Sequence, residues 1–282
     1  MFADDTNLFF SGRKISNLVS TVNSELDKIN TWFKLNKLSL NVKKTNFIMF
    51  ASKRNSSINS SLNTLEIKID NSKIEQVHSS KFLGVIINQT LSWNDHIHVI
   101  QQKIHKNSGI IRRLSKSLPQ SVLLCLYHSL IEPYLGYCNI VWGMNRSTSL
   151  DKLFISQKKI VRIITFSKLN THTKPLFSRL SLLTIYQLNV FQVACFVYCC
   201  IHNLLPQRFS SMFQANNSIH YHNTRNSIKL HSISCRLSLR LFTIRIYGVS
   251  IWNSLSDNVC NCVSLASFKR NLKSYLLQNS SN

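Results

Sequence analysis

The stretch 93–116, WNDHIHVIQQKIHKNSGIIRRLSK, decides how the larger, C-terminal part of the chain folds. Its apolar residues recur three, four and seven positions apart, at Ile97, Ile100, Ile104 and Ile111. This is the spacing of one face of an α-helix, and Asn94 or Asp95 can cap the first turn. Basic residues fall largely on the other faces, so the sequence predicts an amphipathic helix with a cationic exterior.

The sequence after this helix keeps a helical pattern. Pro119 suits the first turn of a helix that runs to about Leu130. Further helices are predicted near 150–166, 182–204 and 264–277. Residues 180–207 carry no Lys, Arg, Asp or Glu, which raises the alternative of a membrane span. Polar residues interrupt that stretch at Gln187, Asn189, Gln192 and Asn203. Polar groups are costly in hydrocarbon, so we predict a buried core helix and no membrane partner.

The sequence before residue 93 mixes short strands with one helix. A β-prone segment, 6–10, precedes a run from Ile15 to Phe33 whose apolar residues follow a helical spacing. Strands are predicted near 45–51, 65–70 and 82–87, the last as a buried strand around Gly84. The predicted fold class is therefore α+β, mainly α. It divides into an α/β region over 1–95, a helical region over 96–170 and a basic, mostly helical region over 171–282.

The charge of the chain is strongly positive and unevenly spread. The formal net charge is +23, and residues 96–282 contain 22 Lys and Arg against three acids, Glu132, Asp151 and Asp257. Such a surface attracts polyanions, and nucleic acid is the partner that it favours. An acidic protein or an anionic membrane surface is the alternative explanation of the same charge.

The cysteines and the start of the chain bear on the cellular compartment. Eight cysteines follow no paired pattern, and Met1–Asp5 is acidic where a secretory leader would be basic and then apolar. We therefore expect reduced cysteines and an intracellular protein, nuclear or cytoplasmic. A zinc site is weighed and not favoured, because no closed four-ligand spacing connects the candidate ligands. These are His220, His222, His231, Cys235, Cys260 and Cys262.

The segment Phe2-Ala3-Asp4-Asp5 carries the clearest chemical signal. Adjacent carboxylates are suited to Mg²⁺, which prefers oxygen ligands and shares them with substrate phosphates. Two such ions can hold the attacking and leaving oxygens of a phosphoryl transfer. An Asp-Asp pair in an ordinary turn gives the same sequence, so the pair alone leaves both explanations open.

Several further segments follow this pair in a fixed order. Upstream of residue 98 they are Trp32-Phe33, Leu40-Asn41-Val42-Lys43-Lys44-Thr45, Lys81-Phe82-Leu83-Gly84-Val85 and 91–97. Downstream they are Leu126-Tyr127, Tyr134, Tyr137-Cys138, Val141-Trp142-Gly143, Asn223-Thr224-Arg225, 251–255 and Phe268-Lys269-Arg270. Together they resemble, over nearly the whole chain, the C-terminal part of the reverse transcriptase of non-LTR (LINE, jockey-like) retrotransposons.

This resemblance implies an RNA-directed DNA polymerase that extends a DNA primer on an RNA template, using Mg²⁺ and deoxynucleotides. It implies that Asp4 and Asp5 are the catalytic, metal-binding pair. Lys43 and Lys44 would lie near the nucleotide. The turn of the primer grip would be shaped by Phe82, Leu83 and Gly84. Residues 1–95 would be the end of the palm, with short antiparallel strands and a helix, residues 96–170 a thumb-like region, and 171–282 the helical C-terminal region.

The sequence departs from the family pattern at its start. The family's third essential carboxylate lies on a strand upstream of the Asp pair, whereas three residues precede Asp4 here. We therefore expect a fragment of the polymerase that is inactive on its own. The alternative is a non-catalytic nucleic-acid-binding protein that retains only the basic helical half.

The basic helix supplies the predicted nucleic-acid contacts in both cases. Its candidate residues are Lys103, Lys106, Arg112 and Arg113. Lys and Arg side chains bind phosphates without reading the base sequence. The alternative for these residues is a solvated helix face with no partner.

Overall fold

The structure is a computed structural model that describes residues 6–50, 65–70, 72–144, 147–219 and 229–279. It divides into two compact units, residues 1–95 and 96–282. Each is described by itself. The described chain is mainly helical with a few short strands, which agrees with the predicted α+β, mainly α class.

The first unit contains one long helix and three two-stranded pieces of sheet. Helix α1 (Ile15–Leu35) is followed by strands β1 (Asn46–Phe47), β2 (Lys68–Ile69), β3 (Ser72–Lys73), β4 (Glu75–Gln76), β5 (Ser79–Phe82) and β6 (Val85–Asn88). The pairs β2–β3 and β5–β6 are antiparallel, whereas β1 pairs with β4 in parallel. The prediction of antiparallel strands alone is therefore wrong for β1–β4.

The core of the first unit joins α1 to the sheet pieces. Val22 and Leu26 of α1 pack against Ile67, Ile69 and Ile74. The Asn23 amide adds two polar contacts to the same strand region. It donates to the Glu66 carbonyl at 3.1 Å and accepts from the Lys68 N–H at 3.1 Å. The Asn23 side chain therefore supplies hydrogen-bond partners to the backbone groups of Glu66 and Lys68, as a neighbouring strand would otherwise do.

The helix from Ile15 was predicted correctly, but the strand predicted near 82–87 differs from the structure. Residues 82–87 do not form one buried strand: a turn at Leu83 and Gly84 divides them between β5 and β6. The β-prone residues 6–10 form no strand. A β-prone sequence becomes a strand only where a hydrogen-bonding partner lies alongside, and none of the described strands pairs with this segment.

In the described residues of the second unit, all regular secondary structure is helical. Its first helices are α2 (Asn94–Leu114, which begins at the boundary between units), α3 (Gln120–Leu130), α4 (Glu132–Gly136), α5 (Asn139–Trp142) and α6 (Thr148–Ile164). They are followed by α7 (Lys174–Arg179), α8 (Ile185–Ile201), α9 (Gln207–Ser210), α10 (Ser238–Leu241), α11 (Ile244–Ser254), α12 (Asp257–Cys260) and α13 (Leu265–Gln278). The sequence correctly predicted α2, α3, α6, α8 and α13.

Helix α8 forms the centre of this unit and packs against α11 and α13. Its first turn is closed by a capping box between Thr184 and Gln187. The buried side chain of Gln157 also contacts this end of α8. It accepts from the Ile185 N–H at 3.0 Å and donates to the Tyr127 hydroxyl at 2.8 Å and the Leu183 carbonyl at 3.0 Å. Every polar group of this buried amide is thus paired, which fixes α3, α6 and α8 to one another.

The predicted core helix within 180–207 is α8. It has 17 residues, and it starts and ends about one helical turn inside the predicted range 182–204. Among the described residues, no helix combines the length and apolar character needed to cross a bilayer.

Candidate nucleic-acid interface

The predicted catalytic and metal-binding pair, Asp4 and Asp5, lies outside the described residues. The described residues begin at Thr6, and residues 6–10 are exposed. The Phe9 ring lies 6.3 Å from the Phe82 ring, edge to face. The segment that follows the Asp pair therefore contacts the end of β5.

The predicted primer grip forms the tip of the β5–β6 hairpin. Phe82 and Val85 are paired across the hairpin, and Leu83 and Gly84 make the two-residue turn between them. Both turn residues have positive φ, 45° for Leu83 and 84° for Gly84. Two positive φ values in succession fit the twist of a tight hairpin, and glycine adopts them without strain whereas leucine does not. The Leu83 side chain is exposed at this tip.

The predicted nucleotide-proximal lysines lie on a short 3-10 turn between α1 and β1. The turn spans Val42–Lys44, and the Asn41 side chain caps it by accepting from the Lys44 N–H at 3.3 Å. Lys43 and Lys44 are both exposed, and neither forms a salt bridge with a described residue. Their side chains are therefore available to an anionic ligand.

The first unit contains a cavity of about 290 Å³. It is lined by residues 6–10, by the chain directly after Lys44 (45–50), by Ser80–Phe82 of β5 and by apolar residues of α1. The lining is mainly apolar, so the cavity does not resemble a site for a metal ion or a phosphate. No described group of three or more His, Cys, Asp or Glu side chains is placed to hold a metal.

Helix α2 presents the four predicted nucleic-acid contacts to solvent. Ile97, Ile100, Ile104 and Ile111 are buried, as their spacing predicted. Lys103, Lys106, Arg112 and Arg113 are all exposed. They surround the outer half of the helix, so a ligand on this side meets cations and not the apolar face.

Contacts from three neighbouring elements fix the orientation of α2. The Asn107 amide donates to the Leu130 carbonyl of α3 at 2.6 Å, and His105 Nε2 lies 3.0 Å from Ser156 Oγ of α6. The third element is α4, where the centre of the Tyr134 ring lies 5.1 Å from Lys103 Nζ. A cation over an aromatic face is held in place without losing its charge. The basic face of α2 is therefore preorganised.

The acids of the second unit leave these cations without ion-pair partners. Glu132 pairs with His128, and Asp151 accepts a hydrogen bond from the Tyr186 hydroxyl. Within 96–144, 147–219 and 229–279, no Lys or Arg forms a salt bridge. The excess charge predicted from composition is therefore present as surface potential, which attracts polyanions.

Sequence reasoning missed a second row of cations on α6. Lys152 and Lys159 are exposed, and Lys158 Nζ lies 4.2 Å from the Phe154 ring. Helix α6 contacts α2 through Ser156 and His105, and its exposed cations add to the positive charge of the helical unit. The helical spacing of the buried residues in 150–164 was sufficient to place Lys152 and Lys159 on the outer face.

The C-terminal segments that carry the resemblance contribute to the core. The Tyr198 ring stacks on Phe268 at 4.4 Å, and Trp252 stacks on Phe268 at 5.8 Å. The Asn253 amide accepts from the Leu230 N–H at 3.0 Å and donates to the Leu230 carbonyl at 2.9 Å. Asn223-Thr224-Arg225 lies outside the described residues. Trp252, Asn253 and Phe268 are therefore explained by packing.

The cysteines of this core are free thiols. Burial raises the pKa of Cys195 to about 12 and the pKa of Cys260 to about 11. The thiolate is the form that binds metals and acts as a nucleophile, and these two groups are thiols near neutral pH. Their surroundings suit packing.

The known proteins to which this chain is similar are enzymes of mobile elements. The chain is 22% identical over 189 residues to a probable RNA-directed DNA polymerase from transposon X-element of Drosophila melanogaster, covering 66% of the chain and 20% of that protein. It is 27% identical over 168 residues to the RNA-directed DNA polymerase from mobile element jockey of the same species, covering 58% and 18%.

A third relative is the jockey polymerase of Drosophila funebris, 25% identical over 169 residues, with 58% and 18% covered. The chain thus spans about a fifth of the length of these relatives. No protein-family model and no solved structure matches it. The resemblance seen in the sequence is confirmed: the chain is similar to the RNA-directed DNA polymerases of jockey and X-element non-LTR retrotransposons.

Proposed function

We propose that the chain is part of an RNA-directed DNA polymerase of a non-LTR retrotransposon and that its helical unit binds the RNA template and DNA primer by their phosphates. The observation that carries this proposal is the basic face of α2, defined by Lys103, Lys106, Arg112 and Arg113. These side chains are exposed and form no salt bridge with a described residue. The similarity to three such polymerases supports the choice of nucleic acid as the polyanion.

We assign the palm, thumb and active-site roles in this chain from its resemblance to these polymerases. Asp4 and Asp5 would ligate Mg²⁺, which supplies charge stabilisation to phosphoryl transfer when bound. Lys43 and Lys44 would approach the triphosphate of a deoxynucleotide, and their exposure on one turn is consistent with that role. The tip of the β5–β6 hairpin, with Phe82, Leu83 and Gly84, would serve as the primer grip.

A direct test measures binding of a fluorescent RNA–DNA hybrid by anisotropy at low salt. We expect binding that does not depend on base sequence, because Lys and Arg on phosphates carry no sequence information. The expected affinity falls steeply as salt rises, since bound cations release condensed counterions. Absence of binding at low salt would overturn the proposal and favour an acidic protein partner.

A second candidate is a nucleic-acid-binding protein that performs no synthesis. The basic surface favours this candidate because exposed cations can bind nucleic acid without an active site. Primer extension on an RNA template with Mg²⁺ and deoxynucleotides distinguishes the two. Because the chain spans about a fifth of the length of its relatives, we expect that this chain alone does not extend a primer. Template-dependent extension that disappears in Asp4→Ala would instead establish a complete polymerase site.

A further inference from the structure

Helix α2 contains a glycine that the packing of the protein does not require. Gly109 lies in the interior of the helix and is exposed, and a Cβ built on it would meet no atom within 4 Å. At Gly143 and Gly248, by contrast, an added Cβ would lie 2.4 Å from Asn139 and 3.0 Å from Val197. Glycine in a helix interior is less stable than alanine, so Gly109 lowers stability without a compensating internal contact.

The four helical neighbours of Gly109 all carry cationic or imidazole side chains. Residues three and four positions away are the nearest on a helix surface, with Cβ atoms about 5–6 Å apart. For Gly109 these are His105, Lys106, Arg112 and Arg113. All four are exposed. The glycine is thus a shallow depression with a basic group at each corner.

A bare helix surface at this point allows a close approach that any side chain would prevent. Glycine is the usual residue where a backbone must come near a ligand. Arg guanidinium groups bind phosphate oxygens with two parallel N–H donors, and Lys adds a point charge. His105 is held beside the depression by its contact with Ser156 Oγ at 3.0 Å. The chemistry of this position matches a phosphate group.

We propose that Gly109 is the seat of a backbone phosphate of the bound nucleic acid, with Lys106, Arg112 and Arg113 closing around it. This proposal rests on the proposed function and adds the point of closest approach. The cations of α2 run from Lys103 to Arg113, which is about 15 Å along the helix. One nucleic-acid strand presents about four phosphates over that length. A repeating polyanion fits this surface better than a single small anion.

The test compares binding of an RNA–DNA hybrid by wild-type protein, Gly109→Ala and Gly109→Leu. Both substitutions favour the helix, so we expect Gly109→Ala to raise the melting temperature by about 2 °C. In spite of that gain, we expect Gly109→Leu to weaken binding roughly tenfold, because charge-assisted contacts to the phosphate are lost. Gly109→Ala should weaken it less.

The control is Ser121→Leu, an exposed position in the first turn of α3 whose neighbours one turn further along the helix, Leu124 and Cys125, carry no formal charge. We expect it to bind like the wild type. Unchanged binding by Gly109→Leu, while Lys103→Ala/Lys106→Ala/Arg113→Ala binds weakly, would overturn this inference and leave the proposed function intact. If that triple variant also binds like the wild type, both fail. Equal weakening by Ser121→Leu, or a fall in the melting temperature of Gly109→Ala, would also overturn the inference.

Discussion

The two units differ in how they use their charged residues. In residues 1–95 three of the described lysines pair with nearby acids: Lys28 with Glu25, Lys34 with Asp70, and Lys68 with Glu66. In the described part of 96–282 no Lys or Arg forms a salt bridge. Cations that pair within a fold have their charge partly neutralised, whereas unpaired cations on a rigid helix are available for a polyanion.

The units also differ in what holds them together. Among the described residues, the buried cluster that joins α1 to the sheet pieces of the first unit has five members, and the strands are two to four residues long. The cluster around α8 has seventeen and includes Tyr198, Trp252 and Phe268. Short two-stranded pieces are marginally stable alone, so the helical unit is the sturdier scaffold. Substitutions should therefore affect the two units unequally.

The largest expected effect is in the helical core. Phe268 is fully buried and stacks on Tyr198 and Trp252, so we expect Phe268→Ala to lower the free energy of unfolding by about 4 kcal/mol. Leu26→Ala in the first unit should cost about 2–3 kcal/mol and act on that unit alone. Amide hydrogen exchange of the full chain, read separately for the two units, measures both. Loss of protection in both units by Leu26→Ala would contradict this division.

A smaller effect is expected where the helical unit depends on one buried amide. Gln157→Ala leaves the Ile185 N–H, the Leu183 carbonyl and the Tyr127 hydroxyl without their partner. We expect a loss of about 2–3 kcal/mol by urea unfolding. Gln192→Ala is the control, since it removes one hydrogen bond, to Gly136, and should cost about 1 kcal/mol. Equal losses in the two variants would show that the buried network has no special role.

The smallest effect concerns the ion pairs of the first unit. A hydrogen bond and the charge of Lys34 hold the pKa of Asp70 below its ordinary value. A lowered pKa in the folded state stabilises above the unfolded pKa, and this contribution is lost as pH falls through the folded pKa. In an NMR titration we expect Lys34→Ala to return the pKa of Asp70 toward its ordinary value. Lys28→Ala should leave it unchanged, and a shift of equal size there would refute the assignment.

The regular helices were the most predictable part of the fold. The isoleucine spacing defined α2 and its exposed cations, because one buried face and one solvated face leave a clear period. Helix α11 was missed because its sequence, IRIYGVSIWNS, contains β-branched residues and Gly248. In the structure Gly248 lets this helix pack closely against Val197 and Phe213, a tertiary contact that the local sequence pattern does not show.

The candidate site was predictable in its charge and not in its finer geometry. Composition and spacing predicted the exposed Lys103, Lys106, Arg112 and Arg113. The resemblance implied a turn at Leu83, but the strand pattern of 82–87 did not show it. A leucine at positive φ is rare, and its conformation is set by the pairing of Phe82 with Val85. The role of Asp4 and Asp5 stays a prediction, since both lie outside the described residues.

The central claim is that the basic face of α2 holds nucleic acid by its phosphates, and the salt dependence of binding tests it most directly. Affinity for an RNA–DNA hybrid is measured against salt for the wild type and for Lys103→Ala/Lys106→Ala/Arg113→Ala. The control, Lys269→Ala/Arg270→Ala/Lys273→Ala, removes the same charge from α13. We predict that the α2 variant binds all sequences more weakly and that its logarithmic salt slope is shallower by up to about three, with a much smaller change in the control. A slope unchanged in the α2 variant, or reduced equally in the control, would contradict the account.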